Sequence, residues 1–205
     1  MTARRRWLQG AIAGLACHGL HLPARAGGQL EEPLVDSVRT ALSSAIAFSA
    51  PPVPEFTSDT ARRAYARWMS AMDARLQRHK RVPAEREEFL QTVWYESRRA
   101  GLDTGLVLGL IEVESAFRKF AVSRVGARGY MQVMPFWSRV IGDSDTSRLF
   151  HMQTNLRFGC VILRHYLDRE RGDLFMALGR YNGSRGKSAY PNAVLVAAQR
   201  WSHPG

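Results

Sequence analysis

The stretch from Asp103 to Pro135 constrains the fold more than any other part of this chain. Its apolar spacing predicts a helix over about 104–117, on which Val107, Ile111 and Glu114 share one face. An ionised carboxylate is costly in line with an apolar stripe. We therefore expect burial to raise the pKa of Glu114 and to suit it to donating a proton near neutral pH. On the helix alone, the alternative is a glutamate that reaches water at the helix end.

A glycine-punctuated loop follows this helix. Gly126 and Gly129 mark points where the backbone can adopt positive φ or pass close to a ligand. Gln132 then lies between Met131 and Met134, which places one amide among large and adaptable apolar groups. This arrangement suits recognition of a sugar or peptide amide. A buried turn with an internally bonded glutamine is the structural alternative.

Three blocks of residues resemble the soluble lytic transglycosylases, a goose-type lysozyme-like family that cleaves bacterial peptidoglycan. The first block is the E-S-A-F segment that begins at Glu114, followed by Ser123. The second is G-A-R-G-Y-M-Q-V-M-P, which begins at Gly126, and the third is R-Y-N-G, which begins at Arg180. Their order and spacing match the family pattern, and the resemblance extends over about residues 83–201.

The resemblance implies a mainly α, lysozyme-like helical domain with at most a small β element, preceded by a helical N-terminal extension. Glycoside cleavage normally uses two carboxylates, but this family implies a mechanism with one acid. Glu114 would protonate the leaving glycosidic oxygen and then take a proton from O6 of the muramic acid, giving a 1,6-anhydro product. No cofactor and no metal is implied.

The resemblance also implies roles for the surrounding residues. Tyr181 is the candidate to hydrogen-bond Glu114 and orient its proton. Ser123 and Gln132 would hold the acetamido group or the flanking sugars. Asn182 would pin the adjacent loop, and Met131 and Met134 would shape the groove. Ser115 would support the helix end.

Three departures from the family pattern stand out. Tyr130 replaces the usual leucine before Met131, and Arg180 replaces the alanine before Tyr-Asn. The Asn-Pro pair that commonly follows E-S-x-F is replaced by Arg118 and Lys119. None of these changes removes the acid, and together they predict a more cationic groove.

Charge and cysteine usage narrow the functional classes. The formal net charge of +11 favours an anionic partner, but the sequence contains no nucleic-acid-binding motif. Peptidoglycan strands are the expected partner, with an anionic envelope surface and secretion-apparatus proteins as further candidates. Cys17 falls in the predicted leader, which leaves Cys160 alone, and its apolar neighbours predict a buried, inert thiol.

The chain divides into three predicted segments. Residues 1–26 have a basic start, a short apolar stretch and an Ala-Arg-Ala site, which is typical of a cleaved signal peptide. Residues 27–82 form a helical extension and linker, and residues 83–205 form the catalytic domain. We expect an exported protein, periplasmic or otherwise in the bacterial envelope, with no transmembrane helix in its mature form.

Two alternatives to a lytic transglycosylase remain open. A hydrolysing muramidase on the same scaffold would need an additional acid; Asp143 and Asp145 are available, but their polar setting predicts loop and helix-capping roles. A non-catalytic wall-binding or secretion-apparatus scaffold would tolerate replacement of Glu114. A nucleic-acid binder is disfavoured by the predicted export.

Overall fold

The computed structural model describes residue 29 and residues 36–47, 54–140 and 144–203. In these residues the secondary structure is helical: α1 Asp36–Ala47, α2 Asp59–Leu76, α3 Pro83–Arg99, α4 Thr104–Ser115, α5 Phe136–Val140, a 3₁₀ helix Thr146–Phe150, α6 Met152–Arg169, α7 Leu174–Tyr181 and α8 Ala189–Trp201. The β content of this part of the chain consists of two isolated antiparallel bridges, Val122 with Arg128 and Arg128 with Val133. The prediction of a mainly α fold with a small β element is confirmed.

Helix α4 lies at the centre of the fold and is buried on almost every side. Its two glycines allow helix α8 to pack against it at close range. A Cβ on Gly109 would lie 2.4 Å from the backbone nitrogen of Ala198, and one on Gly105 would lie 3.2 Å from the carbonyl carbon of Trp201. The two helices run antiparallel, so the start of α8 lies beside the C-terminal end of α4. This packing brings Tyr190 to Glu114.

Helix α2, from the predicted extension, contributes to the same hydrophobic core through Trp68, Met72 and Leu76. The residues that follow it contact the glycine-containing loop at 126–135, here named the catalytic loop after its predicted role: Lys80 Nζ donates to the Tyr130 hydroxyl at 2.7 Å. Tyr130 stands where the family pattern has leucine, and its hydroxyl accepts the hydrogen bond from Lys80. The boundary at residue 83 remains a prediction, although α2 packs as part of the folded core.

Helices α3 and α6 are joined by a buried ion pair. The Arg157 guanidinium donates from two nitrogens to the Glu96 carboxylate, and Gln153 Nε2 donates to the same group at 2.6 Å. Both charged side chains are almost completely buried. Cys160 lies on the same helix as Arg157 and is buried and free, as predicted, and burial raises the pKa of its thiol well above the usual value.

The polar loop near residue 145 caps a helix rather than presenting a free acid. Asp145 Oδ1 accepts from the Ser147 backbone nitrogen at 3.0 Å at the start of the 3₁₀ helix. Asp143 and the predicted leader at 1–26 lie outside the described residues. None of the helices in the described part of the chain is long and apolar enough to cross a membrane.

Candidate active site

Glu114 is placed by the end of helix α4. The helix stops at Ser115 because Ala116 and Phe117 adopt positive φ values of 49° and 62°. Phe117 turns back into the core, where its ring packs against Phe89 and Trp201. The chain therefore changes direction directly after the acid.

Glu114 is buried, and only 7% of its surface is exposed to solvent. Its Oε1 accepts a hydrogen bond from the Tyr190 hydroxyl at 2.5 Å, and its Oε2 has no hydrogen-bond partner among the described residues. Burial raises the pKa of Glu114 to about 8, and the Tyr190 bond opposes that rise. One oxygen is thus held by Tyr190, while the other is buried without a hydrogen-bond partner in the described residues, on a group that is protonated near neutral pH.

The predicted hydrogen bond between Tyr181 and Glu114 is not made. The Tyr181 hydroxyl instead donates to the backbone oxygen of Met131 at 2.7 Å, so this side chain fixes the catalytic loop. Tyr190 takes the position that the sequence analysis gave to Tyr181. Sequence reasoning missed it because Tyr190 lies 76 residues from Glu114; an aromatic side chain just before Pro191, in the first turn of α8, was the available signal.

Gln132 supports the loop more than it faces a ligand. It has a φ of 48° and is buried. Its amide nitrogen donates to the backbone oxygens of Ala121 at 3.1 Å and Gly129 at 2.9 Å. Both amide hydrogens are therefore used inside the loop. The structural alternative, a buried turn with an internally bonded glutamine, describes these contacts.

Met131 lies in the core, contrary to its predicted place in the groove. It is fully buried and packs against Gly159, where a Cβ would lie 2.3 Å from the Met131 sulfur. Its backbone nitrogen donates to Asn155 Oδ1 at 2.8 Å, and Asn155 Nδ2 donates to the backbone oxygens of Arg128 and Leu149. Asn155 thus ties the catalytic loop to helix α6. Met134 is only partly buried.

The remaining candidates support the backbone around the site. Ser123 Oγ accepts from the Ala127 nitrogen at 3.0 Å across the glycine turn, and the Ser115 hydroxyl donates to the Ile111 oxygen at 3.2 Å. Asn182 Nδ2 donates to Ser184 Oγ at 3.0 Å, within the loop that follows α7. Its Oδ1 has no partner among the described residues.

Gln29 enters the site from the N-terminal segment, and sequence reasoning did not find it. Its Oε1 accepts from the Trp137 indole nitrogen at 2.8 Å and from the Met134 nitrogen at 3.4 Å. Its Nε2 donates to the Gln132 backbone oxygen at 3.5 Å. The side chain is buried and satisfies an indole that is itself fully buried. No periodicity or motif marks such an isolated contact.

The three departures from the expected pattern each have a local partner. Tyr130 is met by Lys80. Arg180 forms an ion pair with Glu170, which also binds Arg185 and whose pKa falls to about 2 through hydrogen bonds and charge from the two arginines. Arg118 Nε donates to the Ser115 oxygen at 3.0 Å and so caps the end of α4.

The site is assigned by its chemistry rather than by the size of a cavity. A cavity of about 830 Å³ lies between helices α2 and α3, where Phe56, Trp94 and Arg98 line it, and it does not include Glu114. The described residues contain no cluster of three or more histidine, cysteine or acidic side chains that could hold a metal ion.

Comparison with known proteins identifies the domain that contains this site. Residues 92–193 match the family model described as the transglycosylase SLT domain. This part of the chain is a transglycosylase SLT domain. It contains Glu114, the glycine loop, Asn155, Tyr181 and Tyr190.

The relatives of this SLT domain are enzymes of which the chain covers only a part. A transglycosylase of Enterobacteria phage PRD1 is 31% identical over 118 residues, 58% of this chain and 41% of that protein. The membrane-bound lytic murein transglycosylase C of Glaesserella parasuis is 49% identical over 57 residues, 28% of this chain and 15% of that protein. The protein of the same name from Actinobacillus pleuropneumoniae is 41% identical over 90 residues, 40% of this chain and 25% of that protein.

A solved structure shares the fold of this SLT domain. An inactive glutamate-to-glutamine mutant of the lytic transglycosylase Slt from Pseudomonas aeruginosa superposes with a TM-score of 0.50 at 20% identity. The match covers 85% of this chain and 38% of that one. It confirms the lysozyme-like helical fold.

Proposed function

We propose that this protein is a peptidoglycan lytic transglycosylase that cleaves the MurNAc-β-1,4-GlcNAc bond without water and leaves 1,6-anhydroMurNAc ends. The observation that carries the proposal is the state of Glu114: a buried carboxyl with a pKa of about 8, one oxygen bonded to Tyr190 and the other without a partner among the described residues. The SLT domain match and the names of the relatives support the substrate class.

The first step is protonation of the leaving oxygen. Glu114 Oε2 donates its proton to the glycosidic oxygen as the bond between that oxygen and C1 of the muramic acid breaks. The 2-acetamido group of the same sugar supports C1 through its carbonyl oxygen. Tyr190 holds Oε1, so the carboxyl group keeps one orientation while its charge changes.

The second step regenerates the acid. The Glu114 carboxylate, now ionised in a buried site, takes the proton from the O6 hydroxyl of the muramic acid. O6 then forms a bond to C1 and displaces the acetamido oxygen, which closes the 1,6-anhydro ring. Burial raises the pKa of Glu114 and so favours recovery of the proton. Each cycle returns the residue to its starting state, and no water or second carboxylate is consumed.

The surroundings of Glu112 also favour a mechanism with one acid. Glu112 is two residues from Glu114, but its Oε1 accepts from Arg200 at 2.8 Å and its Oε2 accepts from the Trp201 indole at 2.5 Å. Both of its oxygens are therefore occupied at the end of helix α8. Its carboxylate is committed to packing rather than to activating water, which a hydrolase requires.

The supporting roles follow from the contacts. Tyr190 positions the acid, whereas Tyr181, Gln132, Asn155 and Gln29 hold the loop beside it. Ser123 is partly exposed, and its hydroxyl hydrogen is available to a sugar. We also propose that the protein acts in the bacterial envelope after export, because that is where its substrate lies.

Mass spectrometry of digested peptidoglycan tests the function. The full chain is incubated with purified walls beside its Glu114→Gln variant, and the soluble products are identified. We expect 1,6-anhydro-muropeptides from the wild type alone. Reducing-end products would indicate a hydrolase. Absence of products from both proteins, with both still bound to the wall, would indicate a non-catalytic scaffold.

A further inference from the structure

The loop from Arg118 to Val125, here named the Phe120 loop, exposes an unusual apolar surface. Of the five large hydrophobic side chains that are exposed in the described residues, three lie in this loop: Phe120 is 71% exposed, Val122 60% and Val125 56%. Exposed hydrophobic residues scattered singly need no explanation, whereas clustered ones indicate a binding surface.

Positive charges lie beside the aromatic rings of this surface. Lys119 Nζ is 5.4 Å from the centre of the Phe120 ring, and the Arg128 guanidinium is 5.5 Å from the centre of the Phe150 ring. The Phe120 and Phe150 ring centres are 5.8 Å apart. In the described part of the chain, no carboxylate lies within ion-pair distance of Lys119, Arg124 or Arg128. The result is a strip of ring faces flanked by unneutralised cations.

This strip is continuous with the site of Glu114. The loop starts four residues after the acid, and Arg118 Nε bonds the last turn of its helix. The backbone oxygen of Ala121 accepts from Gln132 Nε2 at 3.1 Å, and the Gly129 nitrogen donates to the same oxygen at 2.9 Å. A polymer bound along the strip therefore runs into the catalytic loop.

We propose that the Phe120 loop is a recognition surface for glycan strands that carry anionic stem peptides, and that it selects them over bare glycan. The inference rests on the proposed function and deepens it. Apolar faces of sugar rings pack on Phe120 and Phe150, and the stem-peptide carboxylates pair with Lys119 and Arg124. An anionic lipid surface offers similar charge, but continuity with Glu114 favours a ligand that enters the site.

Binding to soluble glycan strands tests this selectivity. The full chain carries Glu114→Gln so that strands are bound without being cut. Titration calorimetry compares strands with intact stem peptides and strands from which an amidase has removed them, leaving only the lactyl carboxylate. We expect the peptide-bearing strands to bind about three- to tenfold more tightly, since exposed ion pairs make small individual contributions to affinity. The preference is expected to shrink as salt is added.

Substitutions in the loop separate the charges from the rings. Adding Lys119→Gln and Arg124→Gln is expected to abolish the preference, because it weakens binding to peptide-bearing strands much more than binding to bare glycan, whereas Phe120→Ala weakens binding to both strands. Arg67→Gln and Val196→Ala remove an exposed charge and an exposed hydrophobic side chain elsewhere on the surface, and are expected to change neither affinity.

The outcomes distinguish this inference from the proposed function. Equal affinity for both strands, or a preference that survives the double substitution, overturns the inference. If the Lys119→Gln, Arg124→Gln double substitution abolishes binding to anionic phospholipid vesicles and changes neither glycan affinity, the loop binds a lipid surface instead. If the wild-type chain releases anhydro products from both strands and the Glu114→Gln variant binds both with equal affinity, only the inference fails. If it cuts neither strand, the proposed function fails as well.

Discussion

Two buried glutamates show how the same side chain serves different ends in one fold. Glu96, between helices α3 and α6, is bonded by Arg157 and Gln153. Glu114, at the end of α4, accepts a hydrogen bond from the Tyr190 hydroxyl, and its other oxygen has no partner in the part of the chain that the structure describes. A buried carboxylate with a full set of partners joins helices, whereas a buried carboxyl without a cation retains its proton. The hydrogen-bonding and charged partners of each carboxyl group, more than its burial, therefore distinguish the structural acid from the candidate catalyst.

Replacing each glutamate by glutamine gives the sharpest contrast. We expect Glu114→Gln to lower activity on peptidoglycan by at least about a thousandfold, because the amide cannot donate the proton. The variant keeps its circular dichroism spectrum and its affinity for glycan. Activity within tenfold of wild type would remove Glu114 from the mechanism.

Glu96→Gln affects stability instead. Removing one partner leaves Arg157 buried without its counter-charge, which costs about 3–5 kcal/mol of unfolding free energy. Urea denaturation measures this loss, and the Arg157→Met, Glu96→Met double variant is the matched control, since it removes both charges and is expected to recover much of it. A loss below about 1 kcal/mol for the single variant would mean that the pair does not support the fold.

The two tyrosines near the site provide a second contrast. We expect Tyr190→Phe to lower kcat by roughly ten- to a hundredfold through loss of orientation. Because the Tyr190 bond lowers the pKa of Glu114, its loss raises that pKa and moves the alkaline limb of the pH–rate profile upward. Tyr181→Phe removes a bond to the Met131 backbone and is expected to leave that limb in place. Identical shifts in both variants would contradict the assignment.

The pH dependence of the unfolding free energy also depends on the Glu114 carboxyl group. Between about pH 4.5 and 8 the folded chain holds a proton on Glu114 that the unfolded chain has released, so unfolding free energy falls as pH rises. Glu114→Gln removes this penalty. Relative to wild type, we expect it to stabilise the protein by on the order of 2–4 kcal/mol at pH 9 and by little at pH 4. Thermal melts at the two pH values measure the difference, and an effect that does not vary with pH would count against a raised pKa.

Local patterns in the sequence predicted much of this account. Apolar spacing placed Glu114 on a buried helix, and the glycine pattern predicted the positive φ values of Gly126 (88°) and Gly129 (75°). These features depend on residues close together in the chain. The predicted helix over 104–117 was two residues too long because positive φ at Ala116 and Phe117 ends it at Ser115.

Contacts between distant segments could not be predicted in the same way. Tyr190 reaches Glu114 because Gly105 and Gly109 let α8 approach α4, a tertiary effect that no local pattern encodes. Gln29 lies more than a hundred residues from the loop it holds. Motif reasoning gave Tyr181 a bond to the acid, and the direction of its side chain toward the Met131 carbonyl corrects that assignment.

The most direct test of the central claim is a titration of the Glu114 carboxyl itself. The full chain is labelled with ¹³C at the glutamate side-chain carboxyl carbons, and the Glu114 resonance is assigned by its loss in Glu114→Gln. We expect a chemical shift change with a midpoint near pH 8, and we expect this midpoint to move to higher pH in Tyr190→Phe. A transition near pH 4.5, the ordinary value for a glutamate, would mean that Glu114 is ionised at neutral pH and cannot serve as the acid.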